Sequence, residues 1–159
     1  MILLGVDPGT ASTGYGFVDV SNHKSLVSID YGLIKTSKDH LMSKRLVKIF
    51  SSAKYLMTKY SPDAVIIERI FFNTNVKTAL SVGQARGVFM LAAGEMDIPV
   101  FEYTALEAKM VLTGYGRSDK DQVRKEVEQI LNIKTHVKPI DASDALAMAL
   151  CHFKKAISA

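Results

Sequence analysis

Cys151 is the only cysteine, so no disulfide can form within the chain, and a reducing cytosol is its natural setting. No apolar run approaches the ~18 residues that a membrane span needs. The opening Met1-Ile2-Leu3-Leu4-Gly5-Val6-Asp7 offers neither a basic leader nor a cleavage site, so no secretory signal is expected. Internal repeats and low-complexity tracts are also missing. Together these absences exclude secreted disulfide scaffolds and membrane-spanning proteins, and leave a soluble, cytoplasmic, globular class.

A length of 159 residues suits one domain over residues 1–159 with a real core, and a hydrophobic share of 48% is too high for disorder. Twenty basic against 16 acidic residues give a net charge of +4 and a pI near 9.1. That mild excess is compatible with a nucleic-acid partner, although many metabolic enzymes carry as much.

Residues 2–7 form an apolar run closed by Asp7-Pro8-Gly9, a strand ending in a turn. Tyr15–Val20 and Leu26–Lys35 read as two further strands, giving an antiparallel meander. From His40 to Tyr60 the apolar residues Met42, Leu46, Ile49, Phe50, Ala53, Leu56 and Met57 recur at helical spacing. Ser61-Pro62-Asp63 ends that helix, and Ala64-Val65-Ile66-Ile67 then predicts a buried parallel strand closing on Glu68. A helix rich in small residues spans 75–96, and a fifth strand covers Ile98–Glu102. Helices near 104–112 and 118–131 follow, with a last one from about Asp141. The order βββαβαβ followed by helices predicts an α/β fold. Its five-stranded mixed sheet would carry helices on both faces, the ribonuclease H-like arrangement.

Such a sheet would gather four acids. Asp7 closes the first strand, Glu68 closes the fourth beside it, and Asp141 and Asp144 share one helix face by their i, i+3 spacing. Singly, each has a bland explanation: strands often end in polar residues, and Asp141 would serve as an N-cap. Together, four carboxylates repel one another and invite a divalent cation. Mg²⁺ suits an all-oxygen ligand set, Mn²⁺ should substitute, and two ions roughly 3.5–4 Å apart would support in-line phosphoryl displacement.

Between Lys109 and Lys138 seven basic and four acidic residues leave a local excess of 7 − 4 = +3. Such a mixture is ordinarily solvated surface; only with the motifs described next do Lys120, Arg124 and Lys125 become candidate phosphate contacts. His136 and His152 are read as ordinary polar residues, and Cys151 as a packed thiol. The Asp7-Pro8-Gly9-Thr10 turn also suits a phosphate cradle of the sugar-kinase type, but that fold needs a much longer chain.

The surrounding motifs are more specific. Gly5-Val6-Asp7-Pro8-Gly9 precedes Thr13-Gly14-Tyr15-Gly16; Glu68 is followed by Phe71, Asn75 and Gly83-Gln84-Ala85-Arg86-Gly87. Val111-Leu112-Thr113-Gly114-Tyr115-Gly116, Lys120-Asp121-Gln122-Val123 and Asp141-Ala142-Ser143-Asp144-Ala145-Leu146-Ala147 complete the set. In this order and spacing, from residue 4 to 152, the sequence closely resembles the RuvC family of bacterial Holliday-junction resolvases.

The resemblance implies that Asp7, Glu68, Asp141 and Asp144 are catalytic metal ligands, that Phe71 works at the junction centre, and that Lys109 and Lys120 contact phosphates. It also implies a homodimer that nicks two opposing strands of a four-way DNA junction, leaving 5′-phosphate and 3′-hydroxyl ends, and that works with a RuvA-RuvB branch-migration complex. Tyr103–Lys109 departs from the family pattern: it lacks a proline and the valine before lysine, and Glu107 adds an acid near the supposed DNA face. Two rival functions are a related nuclease that processes structured RNA and a junction-binding protein without nuclease activity.

Overall fold

The computed structural model describes residues 1–70 and 75–159. Alternation along the first strand, β1 (Ile2–Asp7), sets the architecture: Leu3 joins the core on one face of the sheet, Leu4 and Val6 the core on the other. A strand buried on both faces belongs at the centre of a sheet covered twice. β1 pairs antiparallel with β2 (Ser12–Asp19), which pairs antiparallel with β3 (Val27–Lys35). On its other side β1 runs parallel to β4 (Ala64–Glu68), and β4 runs parallel to β5 (Val100–Tyr103), so the five-stranded order is β3-β2-β1-β4-β5. The expected mixed sheet with helices on both faces is the one observed.

One face is covered by α1 (Met42–Tyr60) and α2 (Val76–Glu95), which bury Ile49, Ala53, Leu56 and Met57 together with Ala85, Phe89, Ala92 and Ala93. Each large apolar side chain among them contributes about 1.5–3 kcal/mol by leaving water. The other face carries α3 (Ala105–Thr113), α4 (Lys120–Ile130) and α5 (Ile140–Ser158). From Ala142 to Cys151, α5 is buried at every residue except Asp144. A helix apolar on nearly all sides belongs inside a core, and its alanines let it lie directly on β1 and β2. Two glycines make the approach possible: a Cβ on Gly5 would overlap the Ala145 carbonyl, and one on Gly14 the Asp141 carbonyl.

Several boundaries differ from the sequence reading. β2 begins at Ser12 and not at Tyr15, because Ser12-Thr13-Gly14, which resembles turn sequence, pairs with Leu33–Lys35 under α5. β5 begins at Val100, since Pro99 has no N–H to donate and offers only its carbonyl, to Val65 N at 2.9 Å. α5 begins at Ile140 with Pro139 at its N-cap and no side-chain cap. The N-cap role considered for Asp141 therefore falls away. Capping boxes fix the starts of α3 (Thr104 with Glu107) and α4 (Asp119 with Gln122). No helix of the described residues is long and apolar enough to cross a membrane.

Candidate active site

In the parallel register of β1 and β4, Val6 lies opposite Ile67, so the next residues, Asp7 and Glu68, leave the sheet side by side. By alternation Asp7 shares the face of Leu3 and Gly5, the face on which α5 rests. The first turns of α5 bring Asp141 and Asp144 down beside it. Asp7, Asp141 and Asp144 each offer a carboxylate oxygen within 4.8 Å of the others. Glu68 lies outside this tightest trio but shares a cleft of about 130 Å³ with Asp7 and Asp144.

Burial, followed by repulsion from Glu68, Asp144 and Asp141, pushes the Asp7 carboxyl up to about 8, with partial relief from Lys120. Burial and then Asp144 raise Glu68 as well, opposed by a hydrogen bond with Asp7 and by the charges of Lys120 and Lys109. The Lys120 ammonium reaches Asp144 Oδ2 at 2.7 Å. Its burial acts to lower its pKa, but the hydrogen bond and attraction from Asp144, with Asp7 and Asp141 behind, outweigh that and leave it raised.

Left alone, the cluster relieves its repulsion by keeping a proton on Asp7 at neutral pH. A divalent cation would displace that proton and bind the freed oxygens. The donors are all hard oxygens, the set that Mg²⁺, Mn²⁺ and Ca²⁺ accept. Asp7, Asp141 and Asp144, with Glu68 at their edge, are thus fitted to hold such an ion.

Of the expected DNA contacts, Lys109 and Lys120 line the acid cleft. Arg124 does not: its guanidinium meets Asp121 Oδ1 at 2.6 Å and Glu128 Oε1 at 3.8 Å, which knits α4 to itself. Lys125 faces a separate depression with Gln129, Asn132 and Lys134. Phe71 lies outside the described residues. Glu107 is engaged elsewhere: its carboxylate accepts from Thr104 N at 2.8 Å and from Lys155 Nζ at 3.1 Å.

Neither histidine joins the cluster. His136 sits 3.4 Å from Glu128, and His152 Nδ1 pairs with the Tyr103 hydroxyl at 2.9 Å. Burial pushes the Cys151 thiol up to about 11, in keeping with a packed side chain. The sequence reading missed Ser12, whose hydroxyl donates to Asp141 Oδ2 at 3.2 Å. Its parity with Gly14 on β2 was the available signal, hidden by the mistaken strand start.

A ribonuclease H-like sheet with carboxylates converging at the ends of β1 and β4 and the start of α5 defines a nuclease that cuts phosphodiester bonds. The comparisons with known proteins narrow this class. The model of one family, crossover junction endodeoxyribonuclease RuvC, matches residues 3–152, and the chain belongs to that family. The crossover junction endodeoxyribonuclease RuvC of Ruminiclostridium cellulolyticum is 47% identical over 152 residues, covering 96% of this chain and 91% of that protein. The Thermus thermophilus RuvC structure superposes with a TM-score of 0.92 at 31% identity, covering 99% of this chain and 96% of that one. The same Thermus protein in complex with a Holliday junction substrate gives a TM-score of 0.93 at 32% identity, over 98% and 94% of the two chains.

Proposed function

We propose that this chain, as one nuclease domain over residues 1–159, resolves four-way DNA junctions by paired symmetric nicks that leave 5′-phosphate and 3′-hydroxyl ends. The observation that carries the reading is the meeting of Asp7, Glu68, Asp141 and Asp144 at a cleft flanked by two lysines. These acids hold Mg²⁺, with Mn²⁺ as a substitute and two ions per site. Bound there, the metal supplies charge for activating the attacking water and stabilising the leaving oxygen.

The chain's own residues do the positioning. Lys120 restrains Asp144 through their 2.7 Å contact and, with Lys109, draws the scissile phosphate toward the acids. Arg124 and Lys125, away from the cleft, contact flanking phosphates; Arg124 must first exchange Asp121 for DNA. Phe71 stacks on an unpaired base at the junction centre.

Two symmetric cuts need two sites related by a two-fold axis, hence a homodimer. The small-residue helix α2 supplies that interface, but it does not use all of its small residues alike. Ala79 is buried in the chain's own core and Val88 leans on it. Leu80 and Leu91 are 64% and 58% exposed, and Gly87 has open space above it. Leu80, Gly87 and Leu91 recur at helical spacing and form the dimer stripe. The dimer works in the cytoplasm with a RuvA-RuvB branch-migration complex.

The test is to incubate a labelled four-way junction with protein and Mg²⁺ and to read product ends and symmetry. Paired nicks are expected, lost in Asp7→Asn with junction binding kept. Preferential cutting of structured RNA would favour the RNA-processing rival, and binding with no cutting in any divalent metal would favour the binding-only one.

A further inference from the structure

A second depression adjoins the acid cluster and is not used by the reading above. It has a volume of about 480 Å³ and lies between the β1–β2 turn, the β3–α1 loop and the first turns of α2. Gly9, Ser12, Lys38, Lys77, Thr78 and Ser81 line it, and among the described residues no carboxylate does. It shares no lining residue with the catalytic cleft, yet the two meet at α5: Asp144 lines the cleft, while Asp141 accepts a hydrogen bond from Ser12 of the groove.

The walls are braced. The Thr10 and Ser81 hydroxyls bond each other and tie the turn to α2, and the Thr36 hydroxyl donates to the Thr10 carbonyl. Thr13 Oγ1 donates to Gly9 O at 2.6 Å, and Arg45 Nε holds Thr36 Oγ1 at 2.8 Å. Lys38 and Lys77 are exposed and form no ion pair among the described residues. Other lysines nearby have acids to satisfy, such as Lys120 with Asp144.

We propose that this groove is a second phosphate track: it receives the backbone of a DNA strand that runs on past the acid cluster, opposite the Lys109–Lys120 side. Lys38 and Lys77 neutralise its phosphates, and the Thr78 hydroxyl donates to a phosphate oxygen. The inference rests on the reading of the chain as a junction nuclease. It also answers an electrostatic need of that site, because a concentrated negative patch repels DNA unless cations grip the strand on both sides of it.

The experiment measures junction affinity by fluorescence anisotropy, with Ca²⁺ present to allow binding without turnover, over a series of salt concentrations. The variants are Lys38→Gln/Lys77→Gln, the charge-retaining Lys38→Arg/Lys77→Arg, and Thr78→Glu, which places an anion in the groove. Lys24→Gln/Lys59→Gln removes two charges at the far end of the sheet as a control. The glutamine pair should bind about tenfold more weakly or worse at physiological salt, and its slope of log affinity against log salt should fall by about 2, near 1 per lost contact. Thr78→Glu should weaken binding too, and the arginine pair should restore it. A wild type that binds and cuts junctions while the glutamine pair matches the control overturns the groove alone. A wild type that neither binds nor cuts overturns the functional reading first, and the groove's ligand with it.

Discussion

Replacing Asp7 by asparagine should stabilise the metal-free fold, although it removes one of the acids proposed to be catalytic. In the unfolded chain the Asp7 carboxyl has its ordinary value of 3.8, whereas burial and its acidic neighbours lift it to about 8 in the folded state. Folding at neutral pH therefore requires taking up a proton. Between pH 3.8 and 7 the linkage amounts to at most about 4 kcal/mol against the folded state. The asparagine amide carries no charge but must itself leave water, which offsets roughly 1–3 kcal/mol of the gain. A net stabilisation of about 1–3 kcal/mol should appear as roughly 3–10 °C in Tm for a chain of this size.

The sign follows from the raised value. Below pH ~4 both states hold the proton, and wild type and variant should differ little; as pH rises toward 8 the wild type loses stability and the variant does not. Melting curves in EDTA between pH 4 and 8.5 measure this directly. Added Mg²⁺ should reverse the order, since only the wild type gains the stabilisation of a bound ion. An asparagine variant that melts below wild type in EDTA at pH 8, or a gap that ignores pH, would refute the account of the site as a store of uncompensated charge.

Ca²⁺ should support junction binding with little turnover, because its larger, looser coordination misplaces the reacting oxygens; full cleavage in EDTA would exclude a metal mechanism. Light scattering should find a dimer, and Leu80→Glu or Leu91→Glu should shift it toward monomer; a wild type monomeric both free and on DNA removes the α2 interface. Phe71→Ala should cleave junctions poorly; wild-type cleavage by Phe71→Ala ends the stacking role. Gly14→Ala should destabilise by about 1–3 kcal/mol, as for other overpacked cores, and weaken Mg²⁺ binding measured by calorimetry. An unchanged Mg²⁺ affinity would show that α5 does not need Gly14 to seat its acids.

The central strands were legible because β1 and β4 are short runs in which almost every side chain is apolar, a pattern that few structures other than a covered sheet can satisfy. Asp7 and Glu68 were legible as polar residues ending those runs, and Asp141 and Asp144 by their i, i+3 spacing. What sequence alone concealed was contact through backbone. Ser12-Thr13-Gly14 looked like turn material because small polar residues favour turns. Here their smallness admits α5, a tertiary cause that no local pattern expresses. The fate of cations was similarly hidden: Lys109, Lys120, Arg124 and Lys125 lie within one basic stretch, but α3 turns Lys109 and the start of α4 turns Lys120 into the cleft, while α4 binds Arg124 to its own acids.

The placement of Asp141 and Asp144 on α5 has a consequence for biosynthesis. A ribosome delivers Asp7 and Glu68 early, on strands that pair with one another, and Asp141 and Asp144 only after the whole sheet and α1 to α4 have emerged. Until α5 docks on Gly5 and Gly14, the nascent polypeptide holds two of the four acids and lacks the helix that fills the core on that side. Translation cut short before this helix would therefore yield fragments that lack both the packing of α5 and the carboxylates of Asp141 and Asp144. On the proposed reading of the acids, nuclease activity would arise only once α5 has docked on the sheet.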